Sequence, residues 1–253
     1  MKVILIFIII IIVIFFKNDI QYIIDVNSSN YINIKVDITK ISNVNKKILI
    51  YSADNRNDEY LKLHQRGWNK YCSIHGYKFI FEYPCKEVPL FYCKFFKILQ
   101  LMNTYPTFDY FIWVDSDTIP NKLFYNFNLE SMIEQIGEAD VITTYYNEPL
   151  FKALIGSFYV FKNNDRSKKI LQNCLDYINY DKWKTYQKTN TIYGGKEYEE
   201  AAMFYSIKKE PDIKHKRIKG NFITNSYICD DNYFIIHNPM KKDLVQCFNK
   251  LLD

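Results

Sequence analysis

The sequence predicts an α/β protein, a mostly parallel sheet flanked by helices, with a membrane anchor at its N-terminus. Three observations carry that expectation. Short apolar runs alternate with stretches of helical apolar spacing, the pattern of parallel strands joined through crossover helices. One run, Tyr110–Val114, is β-branched and aromatic throughout, the make-up of a strand buried on both faces, and it stops abruptly at two acids, Asp115 and Asp117. The stretch Val3–Phe16 is apolar on every side.

The chain has 253 residues, long enough for one large domain with a sizeable core. Only 7 Gly and 7 Pro stand against 19 Phe and 22 Tyr, a composition that excludes a disordered chain. The net charge of +5 is mild and forms no basic stripe, so a nucleic-acid partner is not expected. Val3–Phe16 lies between Lys2 and Lys17 and spans about 21 Å as a helix, short of a hydrocarbon core of about 30 Å. No small-residue cleavage site follows it. Residues 1–17 are therefore read as an uncleaved, thin signal-anchor, which suits early secretory membranes and places the domain in the ER or Golgi lumen. Residues 18–46 are polar and rich in Asn and Lys and read as a stem, and 47–253 as the folded domain. The six cysteines show no zinc spacing: they form one or two disulfides in a lumenal domain and are buried thiols in a cytosolic one.

Along the domain, Lys47–Ser52 reads as a first strand, followed by a polar loop with Asp54, Asn55 and Asp58. Leu61, Trp68, Tyr71 and Cys72 share a face of a helix that ends near Gly76, and Tyr77–Glu82 is a second strand. Phe91, Phe95, Ile98, Leu99 and Met102 follow helical spacing up to Pro106, and the Tyr110–Val114 strand comes next. A short helix at Leu129–Ile136, strands at Asp140–Thr144 and Ser157–Phe161, and a helix capped by Asn164-Asp165 follow. A polar segment holds the aromatics Trp183, Tyr186 and Tyr193. A helix at Glu197–Lys208 and a last apolar run, Tyr233–Ile236, deliver His237, with Lys241-Lys242 just beyond.

In open α/β sheets ligands gather at the carboxyl ends of strands, where Asp115 and Asp117 fall. Two carboxylates so close repel each other unless a cation lies between them or one is protonated. Hard oxygen ligands with a diphosphate as co-ligand suit Mn²⁺ or Mg²⁺.

With these residues in view, the chain resembles the GT-A nucleotide-sugar glycosyltransferases, and within them the family of fungal α-galactosyl- and mannosyltransferases and plant xyloglucan xylosyltransferases. The segments that carry the resemblance are Asn69–Tyr77 with its His-Gly-Tyr ending, the Lys94–Pro106 helix, Trp113–Ile119 with its Asp-x-Asp, Gly156–Phe161, Glu199–Ala202 and Phe234–His237. Departures occur at Leu154 and Glu200, where the family carries Asn and Gln, and after His237, where Asn238-Pro239-Met240 stands. The resemblance implies a transfer, with retention, of a hexose or pentose from a UDP- or GDP-sugar to a glycan or glycoprotein acceptor. It implies Asp117 and His237 as metal ligands and Asp115 as a ligand of metal or nucleotide. Lys242 would face the diphosphate, and Glu199 would orient the donor sugar near its reacting carbon. Ser52, Asp54 and Lys94 are expected at the nucleotide. Two other readings stay open: a phosphatase of the haloacid dehalogenase type, with Asp115 as nucleophile, Asp117 as acid/base and Cys229-Asp230-Asp231 supplying later acids, and a non-catalytic, membrane-anchored glycan-binding protein.

Overall fold

The structure, a computed structural model, describes residues 31–39, 41–145, 154–179, 199–220, 222–224, 229, 232–237 and 244–252. The anchor expected at 1–17, Trp183, Tyr186, Tyr193, Asp230, Asp231 and Lys242 lie outside them. Among the described residues no helix is long and apolar enough to cross a membrane.

Among the described residues, ten strands and six α-helices follow one another: β1 (Tyr31–Ile34), β2 (Ile48–Ala53), α1 (Glu59–His75), β3 (Lys78–Glu82), α2 (Cys93–Thr104), β4 (Tyr110–Val114), β5 (Thr118–Pro120), α3 (Leu129–Ile136), β6 (Val141–Tyr145), β7 (Leu154–Lys162), α4 (Asp165–Asp176), α5 (Glu199–Lys209), β8 (His215–Gly220), β9 (Ile223–Thr224), β10 (Ile235–His237) and α6 (Leu244–Leu252). The main sheet has the order β1-β8-β6-β7-β4-β2-β3, and a small sheet has the order β5-β10-β9. Within the main sheet only the β7 pairings, with β4 and with β6, are antiparallel. The mostly parallel, helix-flanked sheet is as the sequence predicts.

All five residues of β4 are buried. Tyr110, Ile112 and Val114 join one core cluster with α1 and α3, while Phe111 and Trp113 join a second with α2, α4 and α5. Burial on both faces explains why this strand has no polar member. Gly76 closes α1 in the left-handed region, at φ 70°, and its N–H bonds the Cys72 carbonyl, which frees the chain to enter β3. Asn128 and Asn164 cap α3 and α4 by accepting from Ser131 and Ser167 N–H at 3.0 and 2.9 Å.

Within the stretch expected as a stem, β1 pairs in parallel with β8, Tyr31 opposite Arg217 through Ile34 opposite Gly220. Ile34 and Val36 are buried, and the chain beyond them is tied to α3 by Ser42 N–H to Ser131 Oγ (2.8 Å) and Asn128 Nδ2 to Ser42 O (2.9 Å). A four-residue edge strand carries too little apolar pattern to stand out in a polar, Ile-interleaved stretch.

Gly67, inside α1, marks the closest approach of helix and small sheet. A Cβ there would lie 2.8 Å from Ile119 Cγ1 and 3.3 Å from Leu252 Cδ2, so α1, β5 and α6 pack against a bare backbone. Gly67→Leu is expected to destabilise the fold by about 1–3 kcal/mol through overpacking, read as a lowered denaturant midpoint. Gly67→Ala should cost less, since the Ile119 and Leu252 side-chain ends can shift.

Candidate active site

The turn after β4 is built by its own hydrogen bonds. Asp115 C=O accepts from Thr118 N–H at 3.1 Å and from Thr118 Oγ1 at 2.6 Å, and Asp115 N–H donates to Ser157 O at 3.0 Å. Trp68 Nε1 reaches the same Thr118 hydroxyl at 3.3 Å. Thr118 then opens β5, which pairs antiparallel with β10 so that His237 lies opposite Thr118. Strand register alone thus carries a residue from the far end of the chain to the Asp-x-Asp turn.

The ligand atoms of Asp115, Asp117 and His237 all lie within 4.8 Å of one another. His237 Nε2 stands 3.5 Å from Asp117 Oδ1, an ion-pair distance too long for a good hydrogen bond, and Asp117 Oδ1 is buried with no hydrogen-bond partner among the described residues. Burial would favour neutral forms throughout. Against it, His237 holds the Asp117 carboxyl below the usual range, and Asp117 with Asp115 holds the His237 imidazole above its own. Asp115 goes the other way: burial and the Asp117 and Glu199 charges raise it, with Lys94 offsetting part.

Lys94 ties this turn to α5. Its buried ammonium donates to Asp115 Oδ1 (3.2 Å), to Gly156 O (3.0 Å) and to Glu199 Oε1, and it lies 4.9 Å from the centre of the Trp113 ring. Burial works against its charge, yet Asp115 and Glu199 outweigh burial and hold it protonated. Trp113 Nε1 adds a 2.6 Å bond to Asp115 Oδ1. A Cβ on Gly156 would sit 2.2 Å from Glu199 Oε1, so only glycine lets the carboxylate come down onto β7.

The structure places the other expected residues as follows. Asp54, at the carboxyl end of β2, is clasped by Arg56, whose Nε lies 2.9 Å from Oδ1, and by the Ser116 hydroxyl. Although burial opposes it, these bonds push its carboxyl down to about 2. Ser52 is fully buried and bonds His64 Nε2 at 3.0 Å, while His64 Nδ1 lies 2.6 Å from Thr118 O. Burial lowers His64 to about 4, so it is a neutral strut between β2 and the turn. The Ser52 hydroxyl bonds His64, and the Lys94 ammonium donates to three protein acceptors. Asp54 is buried beside this turn, and Asp115 is half-buried. Lys242 lies outside the described residues.

Arg56, His64, Trp113 and Gly156 complete the site without having been singled out as site residues. Arg56 carries a signal in hindsight, a cation two residues after a strand-end acid. His64 carries none, because its partners come from distant segments.

The donor set suits a divalent cation. Two carboxylates and an imidazole are ligands that Mn²⁺ and Mg²⁺ accept, and the unpartnered Asp117 Oδ1 is the acceptor left for one. Lys94→Met leaves buried Glu199 without its counter-charge and is expected to cost about 3–5 kcal/mol, measured by denaturant unfolding. The double variant with Glu199→Gln should recover part of the loss.

Comparison with known proteins converges on this arrangement. Residues 38–137, which contain β2 to α3 and both aspartates, match the model of the galactosyl transferase GMA12/MNN10 family. No curated protein sequence matches the chain. Its fold is similar to that of a glycosyltransferase involved in the glycosylation of the major capsid of PBCV-1, with a TM-score of 0.62 at 18% identity, covering 81% of this chain and 98% of that one. The structure of A197 from STIV is more distant, with a TM-score of 0.38 at 10% identity over 68% of this chain and 81% of that one. A matched segment that holds the Asp-x-Asp turn, on a sheet similar to that of a glycosyltransferase, supports a glycosyltransferase.

Proposed function

We propose that this glycosyltransferase moves a hexose or pentose from a UDP- or GDP-sugar to a glycan or glycoprotein acceptor, with retention, in a reaction that depends on a divalent cation held by Asp115, Asp117 and His237. The observation that carries the reading is the meeting of these three ligands across the β5–β10 pairing, with Asp117 Oδ1 left without a hydrogen bond. A cation there would supply Lewis-acid stabilisation for the charge that builds on the leaving diphosphate.

The chain's own residues divide the remaining work. Trp113 and Lys94 fix one oxygen of Asp115, so that the carboxylate keeps a single orientation toward the turn. Arg56 and Ser116 hold Asp54 as a rigid acid at the end of β2, where a ribose or base would rest. Glu199, held by Lys94 next to Gly156, orients the donor sugar. Lys242, five residues beyond His237, is proposed to face the diphosphate. The N-terminal apolar stretch would anchor the enzyme on the lumenal side of the ER or Golgi, and the Cys229–Cys247 disulfide supports an oxidising compartment.

The phosphatase reading is not favoured. Its nucleophile would be Asp115, whose Oδ1 is occupied by Trp113 and Lys94, and which ends the third sheet strand of the folded domain's β2–β3–β4 run. The glycan-binding reading is not favoured by the family match.

A panel of nucleotide sugars screened for Mn²⁺-dependent hydrolysis tests the proposal. Asp117→Asn and His237→Ala are each expected to lower turnover on the order of a hundredfold or more, as loss of a metal ligand removes several kcal/mol of transition-state stabilisation. Circular dichroism should report an intact fold. Turnover that survives both substitutions, or that ignores Mn²⁺ and Mg²⁺, overturns the assignment.

A further inference from the structure

Two neighbouring carboxyl groups at the start of α5 receive different treatment from the fold. Glu199 is buried and its Oε1 accepts from Lys94. Glu200 Oε2 is also buried but has no hydrogen-bond partner among the described residues. Both approach the same point of β7, since a Cβ on Gly156 would lie 2.2 Å from Glu199 Oε1 and 3.2 Å from Glu200 Oε1.

Two ionised carboxylates at such a point repel each other, and the cation beside them is committed. Lys94 already donates to Asp115, Gly156 O and Glu199. The groups that face Glu200 are Glu199 on its own helix, Lys94 from α2, Asp115 from the end of β4, Tyr92 from the turn before α2, and Tyr159 from β7. The Tyr92 and Tyr159 hydroxyls are themselves buried without hydrogen-bond partners among the described residues. Burial first, and the Glu199 charge second, push the Glu200 carboxyl well above its ordinary range, with Lys94 offsetting part.

We infer that Glu200 is the proton-bearing member of the pair and that its O–H donates a hydrogen bond to a hydroxyl of the sugar bound at this site, while Glu199 stays the carboxylate that Lys94 fixes. The inference rests on the glycosyl-transfer reading above. Its chemical logic is donor supply. Asp115, Asp117 and Glu199 are acceptors when ionised, whereas a neutral carboxyl keeps one donor and can still accept. A sugar hydroxyl placed among carboxylates needs a group that gives it a proton to accept.

The sign of the pH dependence follows. A carboxyl whose folded-state value is raised holds its proton below that value and loses it as pH rises through it. Wild-type turnover should therefore fall on the alkaline side, and Glu200→Gln, which keeps a donor and never ionises, should lack that fall. At neutral pH Glu200→Gln should retain turnover within about tenfold, the scale of one neutral hydrogen bond. Glu200→Ala should raise KM for the donor more than tenfold. A second readout needs neither metal nor substrate. Infrared difference spectra, wild type minus Glu200→Gln, should show a neutral carboxylic carbonyl band at neutral pH that disappears on titration to alkaline pH.

Absence of that band overturns the protonation. A Glu200→Gln variant as impaired as Glu200→Ala, with Glu200→Asp active, shows that the carboxylate is required and overturns the donor role. Failure of every nucleotide sugar to turn over sinks the proposed reaction and the sugar-hydroxyl role with it, while the infrared result still decides the protonation.

Discussion

The Lys94 ammonium donates to acceptors from three elements: the Asp115 carboxylate at the end of β4, the Gly156 carbonyl in β7 and the Glu199 carboxylate at the start of α5. A buried cation with each N–H directed has little freedom, and a buried charge is tolerated only when paired and hydrogen-bonded. Those two facts lock the end of the central strand, the antiparallel strand beside it and the helix above them into one arrangement. Trp113 closes the shell by bonding the same Asp115 oxygen and placing its ring near the ammonium. The rotamer of Asp115, the seat of Glu199 on Gly156 and the lack of a counter-charge for Glu200 all descend from this contact.

The second constraint is the small sheet. Asp117 and His237 are far apart in sequence, and the register of β5 against β10 sets His237 opposite Thr118, the residue after Asp117. Ile119 and Ile236 form the same pairing and bury themselves against α1 and α6, so the apolar side of this ribbon anchors the polar side. The Cys229–Cys247 disulfide closes a loop of sequence separation 18 around β10, between the approach to the strand and α6. Gly67 allows α1 to settle directly on Ile119. The meeting of Asp115, Asp117 and His237 thus stands on packing to which none of the three contributes.

Much of this was legible in the residues. Tyr110–Val114 could be nothing but a buried strand, because no polar group interrupts it, and two acids at its end mark the site on chemical grounds alone. The cap at Asn164 and the stop at Gly76 are local signals, and each fell where its type predicts. The roles of Ser52 and Lys94 were not legible. Each lies at a strand end or helix start that faces a site, but the partners that claim it, His64 and Glu199, come from segments 12 and 105 residues away. β1 and α6 escaped notice because one is four residues long and the other follows a polar run.

By itself the sequence determined the alternation of strands and helices, the central buried strand and the acid pair at its end, since propensity, periodicity and residue chemistry act over a few neighbouring positions. Only the tertiary structure decided which ends of the chain meet, that Lys94 is held by protein acceptors, and that Glu199 and Glu200 differ. Those outcomes depend on strand register, on a missing Cβ at Gly156 and on which carboxylate reaches the buried Lys94 ammonium, and none of these is a property of a short stretch of residues.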